Sequence, residues 1–277
     1  MFAFEHGFAR IGARVKVGVM PTVQQQRRSW NGLPGERIAN PPVRVDIRHD
    51  DAGEFFDIQR RSDVRLVVAD SVAHDRHLLL IVQEPGVAAD RHERFLCGFD
   101  ERSWFAAAVP EDSGAVNVQD AKDALKPKEV WDSMREWDVP MALRDLRRTN
   151  AFLRQGEWFF LPRPWMEVYE AFTLRNEPIQ RGGGKPHICE RLYRTDGVPV
   201  RVCDAYPNGL TEEEYWALDR DERGRHAWRH MNRDANVYVN GYVQHPDHET
   251  IVLPYWHRVV VNTETRARSM EDLAFLD

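Results

Sequence analysis

The sequence predicts an α+β protein of two β-rich modules, each an antiparallel sheet or small barrel, joined by a helical connector. Four observations predict it. Ala13–Met20 and Val43–Arg48 alternate as half-buried strands, and further strand-length segments follow through the first 110 residues and again over much of the last 125 or so. Between residues 112 and 150 the pattern becomes helical and is punctuated by prolines. The chain has 277 residues, 42% of them hydrophobic, and cores tend to split beyond roughly 250 residues. Its thirteen Phe and nine Trp suit sheets better than helical bundles.

The first module spans residues 1–111. Ala13–Met20 alternates as a strand, and Pro21–Pro42 is a polar loop. Val43, Val45 and Ile47 share one face of the next strand, with Arg44, Asp46 and Arg48 on the other. Asp50–Gly53 is turn chemistry that joins this strand to Glu54–Gln59 as a hairpin. Val64–Ala69 and His77–Gln83 form a second pair around Asp70–Arg76, and Phe95–Gly98 and Trp104–Val109 are two further short strands.

The connector spans residues 112–150. Asn117, with Asp120 three residues on, starts a helix over Val118–Leu125. Pro127 interrupts it, and Lys128–Trp137 resumes with Val130, Trp131 and Met134 on one side. After Pro140, Ala142–Phe152 is a third helical segment in which Leu143, Leu146 and Leu153 are spaced for one face.

The second module spans residues 151–277. Gly156–Leu161 is an apolar strand stopped by Pro162 and Pro164, Val168–Arg175 a short helix, and Gly182–Gly184 a hinge. Asp196–Gly197 turns Arg191–Arg194 onto Val198–Cys203 as a hairpin. Thr211 and Glu214 make a capping box for a helix to about Leu218. Strands follow near Val237–Val243, Thr250–Leu253 and His257–Asn262.

Composition excludes several classes. No run reaches the ~18 apolar residues of a membrane span, and Met1–Ile11, with Glu5, His6 and Arg10, has no signal-peptide core. Three cysteines do not make a disulfide framework, so a reducing, cytoplasmic setting is expected. The net charge of −6 opposes a general nucleic-acid coat. Residues 1–48 nevertheless carry eight basic against three acidic residues, about +5. Two readings fit this lobe: a surface that touches the phosphates of RNA or a nucleotide, or a solvated strand face followed by an Arg-rich loop.

The densest chemistry is Gln244–His245–Pro246–Asp247–His248–Glu249, followed by His257. Two imidazoles three residues apart around a carboxylate suit a divalent transition metal such as zinc. They also suit acid–base work near neutral pH, or structural histidines in a turn. His187 and Cys189 form a second pair, on one face of a strand because i and i+2 share a face. Joined to His245 and His248 they would make a closed set of three nitrogens and one sulfur, and Cys203 could replace one ligand. Glu157, beside Trp158–Phe160, is either a desolvated carboxylate with a raised pKa or a strand-edge group paired with Arg154. His74 and His77 read as surface residues, His226 and His230 as a solvated helical face, and Cys97 as a buried small hydrophobe. There is no P-loop and no nucleophile elbow.

Arg154–Gln155–Gly156–Glu157, Pro162, and His245-x-x-His248-x-x-Ile251-x-Leu253–Pro254 together resemble a group of short uncharacterised bacterial proteins. Those proteins start with R-Q-G-D and an apolar strand, carry G-H-x-H, and end with H-x-x-H-x-x-I-x-L-P. The resemblance covers roughly residues 152–265 and implies a compact β fold with a shared site, but no activity. Matched by position, Glu157 stands for the Asp, and Pro186–Cys189 sits where G-H-x-H would, with Cys189 for the second His. A zinc site tolerates that exchange better than an acid–base pair does.

These readings lead to two expectations. One is a metal- or histidine-dependent hydrolase acting on RNA or nucleotide phosphodiesters. His245, His248, Lys185 and Glu157 would be its catalytic candidates, and Arg154, Arg258 and His257 would contact substrate. The other is a non-catalytic module with a structural metal that recognises a protein or single-stranded nucleic acid.

Overall fold

The computed structural model describes residues 3–20, 41–180 and 185–266. The chain divides into two compact units that part between Leu125 and Lys126. The architecture is α+β and β-rich, and the described residues form four open sheets and no closed barrel. Among the described residues no helix is long and apolar enough to cross a membrane.

The first unit contains helix α1 (Ala3–Arg10) and strands β1 (Val15–Val19), β2 (Val43–Asp50), β3 (Gly53–Arg60), β4 (Arg65–Val72), β5 (His77–Gln83), β6 (Glu93–Asp100) and β7 (Ser103–Val109), and it closes with α2 (Val118–Ala124). Hairpin β2–β3 turns at Asp50–Gly53 as expected, and β4 to β7 form an antiparallel meander. Strand β1 departs from the antiparallel expectation: it pairs parallel to β3, Val15 beside Phe56. The long Pro21–Pro42 segment makes such a crossover possible. Most of that segment, with Arg27, Arg28 and Arg37 of the basic lobe, lies outside the described residues. Of the lobe's other cations, Arg14 and Lys16 both bind Asp50, and Arg48 binds Asp57.

Helix α1 was not anticipated, because residues 1–11 carry too short a period to stand out. Phe8 and Ile11 are buried, and the Phe8, Phe56 and Trp104 rings stack edge to face at 5.1 and 5.6 Å. Helix α2 starts as its sequence suggests, with the Asp120 N–H donating to the Asn117 side chain at 2.8 Å. It lays Val118, Ala121 and Leu125 on Leu79, Leu96 and Val109. His77 is not a surface residue: its ring packs edge to face on Phe105 at 5.6 Å, and burial lowers its pKa. Cys97 is fully buried, and burial pushes its thiol pKa up.

The second unit opens with α3 (Lys128–Glu136), followed by β8 (Leu153–Gln155), β9 (Trp158–Pro162), β10 (Leu174–Ile179) and β11 (His187–Thr195). Next come β12 (Val198–Cys203), β13 (Tyr206–Leu210), α4 (Glu212–Ala217), α5 (Arg220–Arg225) and β14 (Arg229–Arg233). It ends with β15 (Asn236–Gln244) and β16 (Ile251–Val261). The main sheet runs β10-β11-β15-β16-β9-β8, and a small one runs β13-β12-β14. One face of the main sheet buries Trp158, Phe160, Cys189, Leu192, Val239 and Leu253. On the other, Phe159 and Leu161 meet Val130 and Met134 of α3.

Several local expectations are corrected. Residues 142–152 form no helix beyond a 3-10 turn at Met141–Leu143. Leu143 and Leu146 stay exposed, so the apolar spacing has no surface to bury against. Within Val168–Arg175 there is one 3-10 turn, Glu170–Phe172, and Leu174 already belongs to β10. Asp196 and Gly197 both have positive φ, as a tight turn requires, yet the strands they join do not pair: β11 lies in the main sheet and β12 in the small one. The helix before His226 ends at Arg225, and His230 lies in β14. The two expected C-terminal strands are one, β16. It bends where Pro254–Trp256 sit opposite the single residue Asn240. The hinge at Gly182–Gly184 lies outside the described residues.

Candidate metal centre

Three stretches of the second unit converge on one point. Strand β11 begins at His187, whose side chain shares the strand's core face with Cys189 and ends at 1% exposure. The loop between β15 and β16 carries His245 and His248. The His248 N–H donates to the His245 carbonyl across its turn, so residues three apart face the same way. The β8–β9 turn, Gly156–Glu157, lies over both. His187 stacks on His245 with centroids 4.2 Å apart and on His248 at 5.7 Å, and His245 and His248 are 4.6 Å apart. One ring nitrogen from each of the three lies within 4.8 Å of the others.

The turn is built for close approach. Gly156 has φ +58, and a Cβ there would stand 3.0 Å from His248 Nε2 and 3.5 Å from His187 Nε2. Arg154 braces the turn by donating to the Gly156 carbonyl, and the Asn262 N–H donates to the carbonyl of Glu157. The buried Gln155 amide donates to the Glu249 carbonyl at 2.6 Å, tying the turn to the histidine loop across 94 residues of chain.

The electrostatics favour neutral imidazoles. His187 is held down to about pKa 3, first by burial and then by His245 and His248. His245 is lowered by burial and by His248, with Asp247 opposing. At neutral pH His187 and His245 therefore offer lone pairs. Both ring nitrogens of His187 are buried without a hydrogen-bond partner, an arrangement that costs about 1–3 kcal/mol for each unsatisfied group. At the solvent side Lys185 Nζ binds both oxygens of Asp247 at 2.8 Å, and the Asp247 N–H donates to His245 Nδ1 at 3.1 Å. Lys185 keeps the Asp247 carboxyl below its ordinary range.

Of the residues singled out from sequence, His187, His245 and His248 come together, Lys185 joins through Asp247, and Arg154 and Glu157 belong to the covering turn. Cys189 does not enter the group, which corrects the expected four-ligand set. Two residues beyond His187, its thiol lies in the apolar core with Sγ 3.9 Å from the His187 carbonyl. Cys203 is buried in the small sheet. His257 is a separate buried imidazole: Nδ1 bonds the Tyr255 carbonyl at 2.8 Å and the ring stacks on Tyr255 at 4.8 Å. Arg258, between His257 and the core residue Val259, points to the opposite sheet face. Sequence reasoning assigned no role to Gln155 or Gly156 and did not pair Lys185 with Asp247. Their only signals were the R-Q-G-E string and a carboxylate between two histidines.

No family model, curated protein or solved structure matches the chain.

Proposed function

We propose that His187, His245 and His248 hold one divalent transition metal, zinc by donor type, in a hydrolase-type centre. The observation that carries this reading is a fully buried imidazole, His187, with two unpartnered nitrogens stacked against two further imidazoles. Such a group is costly without a ligand and natural with one. Three nitrogen donors leave a fourth position open, as catalytic rather than structural zinc sites do. A bound ion there supplies an activated water near neutral pH and polarises a phosphoryl or carbonyl oxygen.

The chain's own groups supply the remainder. His187 and His245, kept neutral, need lose no proton to ligate. His245 exchanges a hydrogen bond when it does so, because its Nδ1 is held by the Asp247 N–H. Lys185, exposed at the mouth, can trade Asp247 for an anionic substrate oxygen, which favours phosphodiesters over neutral esters. Gln155 holds the covering turn to the histidine loop.

A second reading, a structural ion that recruits a partner, is favoured by one feature: the three imidazoles knit chain segments that are far apart in sequence. Zinc content by elemental analysis, together with hydrolysis of bis(p-nitrophenyl) phosphate before and after chelation, separates the two. The enzyme reading expects one zinc per chain, activity lost on chelation and restored by zinc, and no zinc in His187→Ala. Unfolding on chelation, with no hydrolysis at any stage, supports the structural ion. A wild-type chain that takes up no metal defeats both.

A further inference from the structure

We propose that Gly156 is a positioning residue whose missing side chain reserves the space for the ion. This rests on reading the three imidazoles as a metal site. Gly156 is the one described glycine whose Cβ position falls against two of those rings, and it meets their Nε2 atoms: His248 at 3.0 Å and His187 at 3.5 Å. Zinc–nitrogen bonds are about 2.0–2.1 Å long. An ion bound to both nitrogens on that side lies within the volume that a methyl carbon would occupy. Nε2 is therefore the ligating atom of His187 and His248, and the Gly156 backbone is the wall facing the ion. The turn is also fixed in place. Gln155 is 1% exposed and its amide is anchored 2.6 Å from the Glu249 carbonyl, so the wall cannot retreat without breaking that bond. The space is thus set by the residue type at position 156, with the turn held over the rings by its neighbour.

Backbone strain is the competing explanation, since φ +58 disfavours any residue with a Cβ. Two comparisons separate it from space. Gly114 has φ +63 and nothing within 4 Å of its Cβ position, so Gly114→Ala brings strain without occlusion. Gly156→Asn relieves strain, because Asn enters the left-handed region more readily than Ala, while keeping the Cβ. Zinc affinity is measured on the full chain by competition with a chromogenic chelator, and coordination by the visible absorption of the cobalt(II) form.

The expected result is a loss of zinc affinity of about tenfold or more in both Gly156→Ala and Gly156→Asn, with an altered cobalt spectrum. Gly114→Ala should bind zinc like wild type while losing thermal stability. Wild-type affinity in Gly156→Asn overturns the proposal, and if His187→Ala still fails to bind, the metal site itself survives. If the wild type binds neither zinc nor cobalt, the site and this inference fall together.

Discussion

Two buried polar corners of this protein are treated in opposite ways. In the first unit Arg94, 5% exposed, spends its guanidinium on backbone carbonyls. Nε donates to Ala115 at 2.9 Å, Nη1 to His92 at 2.8 Å and Asp90 at 3.3 Å, and Nη2 to Ala89 at 3.1 Å. In the second unit His187, 1% exposed, spends nothing: both ring nitrogens lack a hydrogen-bond partner, and Nε2 lies 3.5 Å from the Cβ position of Gly156. The first corner staples a loop, and the Arg94 guanidinium has its partners. The second leaves the His187 nitrogens unpaired, which is what the proposed ion would answer. A buried polar group therefore points to function when its partners are missing, and burial alone does not.

The comparison can be broken most sharply at Arg94. Arg94→Met strands the buried Ala115 carbonyl and removes three part-buried bonds, and should cost about 3 kcal/mol in urea unfolding. A loss under about 1 kcal/mol would mean that the corner is not the staple described. The next effect is on pH dependence. His187 titrates near 3 when folded and about 6.5 when unfolded, so between these values the unfolded chain binds the extra proton. Its contribution to stability is intact above about pH 6.5 and falls as pH drops toward 3. The slope is about 1.4 kcal/mol per pH unit for this one group. Burial lowers His257 in the same direction. Metal-free urea midpoints at pH 7 and 4.5 measure this, and His187→Phe should flatten the curve.

Smaller effects sharpen the contrast between the two buried histidines. At pH 7 without metal, His187→Phe should be neutral or stabilising by up to about 1 kcal/mol, because an orphaned polar group is removed. His257→Phe, which deletes a bond to the Tyr255 carbonyl, should cost about 1 kcal/mol and leave zinc uptake unchanged. The smallest change is expected far from either corner. Thr211→Ala removes the capping box of α4 and should cost about 1 kcal/mol or less.

What the sequence made legible follows the range of the physics involved. Local signals read correctly: the Asp50–Gly53 hairpin, the Asn117 cap and the Thr211–Glu214 capping box each depend on a few adjacent residues. Signals that need a partner surface did not. Leu143 and Leu146 have helical spacing but no sheet to meet, and Asp196–Gly197 makes a tight turn between strands that go to different sheets. The site divides along the same line. H-x-x-H and the His187 position were visible, since residue type and spacing carry them. The exclusion of Cys189 was not, because a strand step of about 3.3 Å per residue decides which side chain reaches the cluster and which joins the core. Gly156 was present in the sequence without a visible reason, because its role lies in what an added carbon would strike.

The tie between Gln155 and Glu249, 94 residues apart, has a consequence for biogenesis. A growing chain carries His187 long before His245 and His248 exist, and bringing them together requires the pairing of β11 with β15 and the turning back of β16. On the proposed reading, high-affinity ion capture would be delayed until β15 and β16 have been synthesised and paired. Uptake of an ion would then stabilise only the paired fold by mass action, because a chain in which β15 and β16 are missing or out of register does not bring the three histidines together.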